Sequence, residues 1–445
     1  MKIYLLLAVL VGIVILLYLI LRLKLPAFIS LLIASICTAL AAGMEPSIIM
    51  ETIKNGMSST LGFVAIVVGL GGIFGGILEY TGGASALAKY VLSKTGYVNA
   101  PWALLLIGFL IGIPVFFDVG FIILFPLIVA LHHQTKLSIL HYAVPLLCGL
   151  AVSHTFIPPT PGPLAVSEII GAPLGYIVVV GIIVGIPSAI LSGIVFGKYL
   201  GNRLFVQIPE MVDVEISKIN IPKIYLVLPI LLLPVIMIVF NSMLSTNTIS
   251  LGSEKFNDIL EMLCHPFSAL IFANLCAWYI LGRKAGFSQV QLNDITTKSL
   301  YPAGIIILVT GAGGVFKQVL IDTGAGKMIA EQMQAMGLSI IVFAFLASAL
   351  IRILQGSATV AMITGAGLVA PLLSTYELND VQLATIVISI ASGSTVASHL
   401  NDSGFWLVKQ YLGLSEKEGM KTWTVASSIL GLTGFVFSWL IFYIY

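Results

Sequence analysis

Charge is what this chain has least of. Of 445 residues, 21 are Lys or Arg and 19 are Asp or Glu, so charged residues make up 9%. A soluble domain carries about 25%, and these few charges cannot cover a water-soluble globule of this size. The formal net charge of +2 excludes a polybasic nucleic-acid binder and an acidic solvating tail. Four cysteines, Cys37, Cys148, Cys264 and Cys276, have no paired spacing and sit in or beside apolar runs. They read as small packing residues, not as a disulfide or metal framework. The hydrolase pattern G-x-S-x-G and the zinc pattern H-E-x-x-H do not occur. The Gly69–Gly76 run lacks the lysine and hydroxyl of a phosphate loop, so its small residues point to close helix packing. No cofactor or resident metal is implied.

What is present is apolar: 59% of the chain, with a mean hydropathy of +1.09. The reading is an all-α polytopic membrane protein. A spanning helix needs roughly 20 apolar residues. Ile3–Leu21 qualifies, and with Arg22 and Lys24 following and no small-residue cleavage site it reads as a retained first helix. Pro26–Gly43, Leu61–Leu78, Tyr176–Leu200, Ile224–Phe240, Leu260–Leu281, Pro302–Ile321 and Trp423–Tyr443 are further spans.

Four regions do not fit one straight span. Ala103–Leu131 and Leu338–Leu373 are too long and polar at their centres, and read as re-entrant hairpins. Ile139–Ala172 and Val381–Leu412 are interrupted by polar, Pro- or Gly-containing segments, and read as broken helices. Irregular backbone at membrane depth survives only where protein or a wet cavity satisfies it. Ten spans and two hairpins result. With the N-terminus outside, one face collects Arg22, Lys24, Lys89, Lys94, Lys136, Lys198, Arg203 and further cations, and the other only Lys2, Lys54, Lys255 and Lys327. The richer face is cytoplasmic by the positive-inside rule, which puts both termini outside.

The chain also repeats itself. Val68–Ala88 aligns without gaps on Thr310–Ala330, sharing pairs such as Gly71/Gly313, Phe74/Phe316 and Gly82/Gly324; Val-Ser-His154 falls opposite Ala-Ser-His399. Two copies, roughly 1–210 and 211–445, are joined by the polar Phe205–Lys223 segment. Five spans is an odd number, so the copies are expected to be inverted in the membrane. Inverted repeats with paired broken helices are the architecture of secondary transporters, whose site lies near the midplane. The hairpin at 103–131 then opens from the cytoplasm and that at 338–373 from outside.

Chemistry-bearing residues concentrate at the four irregular places. Breaking a helix leaves free N–H groups and a positive dipole end that attract a small anion. Thr155, Thr160, Ser357, Thr359, Ser394, Thr395 and Asn401 are the neutral groups suited to bind its hydroxyls and carboxylate. Asp118 and Asp402 are intramembrane carboxylates, costly and by default functional; capping of a half-helix is the structural alternative. His154 and His399 titrate near neutrality and, with the two aspartates, are the candidate proton carriers. Lys317 and Arg352 more often pair structurally or snorkel. A Na⁺-coupled carboxylate symporter remains the rival, since hydroxyls and carbonyls at these breaks suit a hard cation; an intramembrane Ser/His/Asp enzyme would leave the repeat unexplained.

At these motifs the chain resembles the gluconate permease family, proton-linked members of the ion-transporter superfamily. The likeness covers essentially the whole length. It rests on PVFFDVGFIILFPL (Pro114–Leu127), HTFIPPTPGP (His154–Pro163), GSATVAM (Gly356–Met362) and SGSTVASHLNDSGFWLVKQY (Ser392–Tyr411) in the expected order. The resemblance implies inner-membrane uptake of gluconate or a related sugar acid with protons, by a homodimer whose transport domain moves in elevator fashion. One position departs: family members commonly carry His between the prolines where this chain has Thr160.

Overall fold

The computed structural model describes all residues except 1–2, 97–98, 207–221, 246–252, 326–327, 329–336 and 401. The expected site residue Asn401, and most of the segment joining the two copies, lie outside the described residues. Every assigned element among them is a helix.

Ile3–Leu21 (α1), Ala27–Ala41 (α2) and Pro46–Tyr80 (α3) are followed by a short helix, Gly83–Thr95 (α4), that the apolar pattern did not signal. Ala100–Ile111 (α5) and Phe117–Thr135 (α6) flank the first expected hairpin turn. Leu140–Phe156 (α7) and Pro161–Ile170 (α8) are the two pieces of the first broken helix. Leu174–Ala189 (α9) continues through a π-turn into Phe196–Arg203 (α10). The second part comprises Ile224–Ser245 (α11), Glu254–Cys264 (α12), Pro266–Cys276 (α13) and Gln289–Asp322 (α14). Then come Ile340–Gln355 (α15), Ala358–Leu373 (α16), Asp380–Thr395 (α17), Ser403–Tyr411 (α18), Glu416–Gly419 (α19) and Val425–Ile444 (α20).

Among the described residues, six helical stretches are long and apolar enough to cross a membrane, or eight counting two bent pairs. The expected ten spans exceed this because α1 and α2 are apolar but shorter and the second broken helix is not among these stretches, whereas the bent α6 that is among them belongs to the first expected hairpin. Leu260–Leu281 is not one straight span. It bends by 57° at His265, whose ring accepts from the Phe267 N–H at 3.3 Å while Pro266 opens α13. A proline at the first helical position has no N–H to lose, which makes it a natural restart point. Conversely, α3 and α14 run well beyond the apolar windows Leu61–Leu78 and Pro302–Ile321: their polar first turns stay helical.

α3 and α14 carry the two Gly-rich copies and pack along each other. They run antiparallel, since Gly56 lies against Val315 and Gly314, whereas Gly72 lies against Ser299. A Cβ on Gly314 would sit 2.6 Å from the Gly56 carbonyl oxygen, so only glycine allows this approach. Small residues thus serve close packing here, as the sequence indicated. α3 also lies against the break after α5, where a Cβ on Gly75 would meet the Pro114 carbonyl at 2.1 Å.

α5 and α6 both pack on α7, and α15 packs on α16 and α17. The most enclosed elements are α7, α8 and α17, whose side chains form the central core with Phe121, Phe125 and Phe405. α17 contacts α7, α8, α9 and α20, so the two broken helices lie side by side at the centre.

Candidate functional site

The first break is built from proline. Residues 157–160 separate α7 from α8, and Pro158, Pro159 and Pro161 remove the N–H groups that would continue a helix. Thr160 closes the turn, its hydroxyl donating to the Ile157 carbonyl at 2.6 Å, and its own carbonyl accepts the Leu164 N–H at 3.2 Å. The second break, 396–402, contains no proline and is held from outside. Ala397 adopts a left-handed φ of 52°. The Ala397 and Ser398 N–H groups donate to the Ser428 and Ser427 hydroxyls, each at 3.1 Å. Trp423 Nε1–H donates to Ser398 Oγ at 2.8 Å.

Asp402 ends this break as the N-cap of α18, accepting the Gly404 N–H at 3.1 Å through Oδ1. Its other oxygen accepts from the Ser398 hydroxyl and from Arg352 Nη2. Arg352 projects from the last turn of α15, 5% exposed, and its Nη1 donates to the Gly356 carbonyl. Gly356, at φ 91°, ends α15, and Ser357 caps α16 by accepting the Val360 N–H. One ion pair therefore ties the turn between α15 and α16 to the second break.

These pieces enclose a cavity of about 530 Å³, a usual volume for a small-molecule site. Asp118, His154, Thr155, Ser357, Thr359, Ser394, Thr395 and Asp402 all line it, so eight of the eleven expected site residues share one space. Two others lie elsewhere. Thr160 lines a much smaller neighbouring pocket, which His154 and Phe116 also border. His399 does not line the cavity: its Nε2 lies 2.9 Å from the Ile353 carbonyl on α15, on an exposed face. His154 lies in the last turn of α7, whereas α17 ends at Thr395, so His399, its repeat partner, falls in the break and turns away. Lys317 is also remote, donating to the Ile169 carbonyl at 2.6 Å.

Sequence reasoning underrated Arg352, Ser398, Gln355 and Trp423, all of which line the cavity. A weak signal existed for Arg352, the one charge in the otherwise apolar α15, three residues before Gln355.

Hydroxyl protons decide what the cavity can recognise. Thr155 donates to the Ala151 carbonyl, Ser394 to Ala391 and Thr395 to Ser392, at 2.6–2.7 Å. Each hydroxyl has a single proton, so these three offer lone pairs to a ligand and suit its O–H groups. Donors come from elsewhere. The first-turn N–H groups of α6 and α16 point from helix N-termini, and α6 has no side-chain cap. Two buried cavity nitrogens, Arg352 Nε and His154 Nδ1, have no partner among the described residues. Asp118 stands at the first turn of α6, within electrostatic reach of Asp402. The cavity therefore combines acceptors for several hydroxyls with an N–H-rich end, where the Arg352 guanidinium lies, for an acid.

No cluster of three or more His, Cys, Asp or Glu residues that could hold a metal occurs among the described residues.

The chain is 36% identical over 443 residues to the inner membrane permease YgbN of Escherichia coli, covering 97% of this chain and 96% of that protein. It is 34% identical over 424 residues to the low-affinity gluconate transporter of the same organism, covering 95% of each. Among solved structures, the Alcanivorax borkumensis YdaH transporter superposes with a TM-score of 0.64 at 15% identity, over 90% of this chain and 89% of that one. That last likeness concerns the fold alone. Relatives and structural neighbours are permeases and transporters, and this chain is a membrane transporter, not an enzyme. Residues 4–444 match the profile of the GntP family permeases, and the chain belongs to that family.

Proposed function

We propose that the protein is a secondary active transporter that imports gluconate or a closely related sugar acid together with protons across the bacterial inner membrane. The observation that carries this reading is the cavity in which hydroxyl acceptors and an N–H-rich end with the Arg352 guanidinium occur together. A polyhydroxylated carboxylate has the complementary groups: several O–H donors on its chain and one anionic terminus. The name of the E. coli relative, a gluconate transporter, supports the same substrate class.

In this reading Thr155, Ser394 and Thr395 accept from substrate hydroxyls, and Ser357, Thr359 and the first-turn N–H groups of α6 and α16 meet the acid. Asn401, which lies outside the described residues, stays in the proposed set of substrate ligands on its side-chain chemistry alone. Asp118 and Asp402 carry the coupling proton, with His154 between the cavity and the small pocket as its relay. The halves 1–210 and 211–445 are inverted repeats. The antiparallel run of α3 and α14, which bear equivalent sequence, supports that inversion. The broken helices and the turns at 112–116 and 356–357 move together as the transport element of an elevator, in a homodimer with both chain termini outside.

The test is reconstitution in proteoliposomes with labelled gluconate, imposing pH and Na⁺ gradients separately. Accumulation driven by an inward proton gradient and indifferent to Na⁺ is expected. Uptake that ignores the pH gradient would overturn proton symport, and uptake that follows Na⁺ would replace it with the cation-coupled alternative.

A further inference from the structure

Building on the proposed sugar-acid:proton symport, we infer that Arg352 is the anchor for the substrate carboxylate and that Asp402 is its counter-ion in the empty site, displaced when anion and proton arrive together.

The donor inventory leads here. Thr155, Ser394 and Thr395 have spent their protons on helix carbonyls, so they cannot donate to a carboxylate. Arg352 is the guanidinium lining the cavity, and it is only partly used. Nη1 holds the Gly356 carbonyl and fixes the group to the end of α15. Nη2 reaches Asp402, while the neighbouring Nε, on the same edge of the guanidinium, has no partner among the described residues. That edge presents two parallel N–H donors matched to a carboxylate. Asp402 takes just one of them, because its Oδ1 is committed to capping α18 through Gly404. A substrate carboxylate would take both, so it competes with Asp402 on favourable geometric terms.

Charge then links the anion to a proton. The titratable groups facing the pair across the cavity are Asp118 on α6 and His154 on α7, while His399, on the break itself, turns to the Ile353 carbonyl. Lys409 on α18 is engaged with the Trp406 ring at 5.0 Å and Glu418 with the Ser415 cap, both away from the cavity. With both aspartates ionised, Arg352, Asp402 and Asp118 sum to one negative charge, and a bound substrate anion would make two in a confined space. Low-dielectric surroundings make that accumulation costly. A proton taken from water onto Asp402 Oδ2 removes it. The Nη2–H contact passes to the substrate carboxylate, while Asp402 Oδ1 keeps the Gly404 N–H. Substrate and proton thus enter as a neutral sum, and either one raises affinity for the other, as linkage requires.

The experiment uses purified full-length protein in weakly buffered detergent with a pH indicator. Gluconate is added to wild type, Asp402→Asn and the Arg352→Gln/Asp402→Asn double variant, which keeps shape and leaves no lone buried charge. Wild type should take up about one proton per gluconate bound, with affinity falling as pH rises. Asp402→Asn should bind without proton uptake and with affinity independent of pH. The double variant, eluting as a folded protein, should bind about 100-fold more weakly than Asp402→Asn. Wild-type binding without proton uptake, uptake that persists in Asp402→Asn, or a double variant that binds as Asp402→Asn does would each overturn the inference while leaving sugar-acid transport standing. Failure of wild type to bind any sugar acid would remove the functional reading and this inference with it.

Discussion

The two helix breaks solve one problem in opposite ways. The first, 157–160, is stiff by covalent constraint. Its prolines fix φ and carry no N–H, Thr160 bonds back to Ile157, and residues 155–167 are all buried. The second, 396–402, has no proline and is held by groups from elsewhere: Ser427 and Ser428 under its N–H groups, Trp423 on Ser398, and Arg352 on Asp402. A segment held by its own rings responds little to a ligand. One held by hydroxyls and an ion pair can be rearranged by a carboxylate or a proton. The first break is a fixed support beside the cavity, and the second, whose Ser398 and Asp402 line it, is where binding and protonation can be felt.

Removing the ion pair should test that contrast most severely. Arg352→Ala leaves Asp402 without its guanidinium, and breaking such a buried pair costs about 3–5 kcal/mol. Thr160→Val in the first break loses one hydrogen bond, about 1 kcal/mol. Thermal unfolding in detergent should separate the two variants clearly; equal losses would erase the distinction.

Transport sharpens it next. Asp118→Asn should abolish gradient-driven accumulation while counterflow exchange partly survives, because the cavity keeps its hydroxyl acceptors. Accumulation at the wild-type level would remove Asp118 from coupling. Binding comes third. Thr395→Val should weaken gluconate binding about fivefold, the value of one lost hydrogen bond. Thr160→Val, outside the main cavity, should leave equilibrium binding essentially unchanged. Last comes Trp423→Phe, an effect on stability alone: it keeps the stacking on Phe117 (5.4 Å between centroids) but loses the bond to Ser398. About 1 kcal/mol of stability should disappear, visible as a lower unfolding temperature with gluconate binding retained.

Local chemistry made much of this architecture legible beforehand. Prolines at 158–163 and the Ser/Gly density at 392–404 stand out against apolar surroundings, and the breaks fall there. α1 begins and ends where its uncharged run does. Other features depend on which way a side chain faces, and periodicity does not encode that. His399 matches His154 in sequence, yet α17 ends before reaching it, and the ring meets Ile353 instead. Arg352 looked like a structural cation until its neighbours across the turn, Gly356 and Asp402, were in place. Hydropathy windows also truncated α3, because Glu51, Lys54 and Asn55 are polar yet helical, and overlooked α4, whose composition is mixed.

The most direct measurement is the equilibrium accumulation ratio of gluconate in proteoliposomes as a function of imposed pH difference. A neutral one-to-one symport of the kind described predicts that the ratio rises about tenfold per pH unit, without dependence on membrane potential, and that Asp402→Asn flattens this slope to zero. A wild-type ratio that stays at one across the whole pH range would contradict the account.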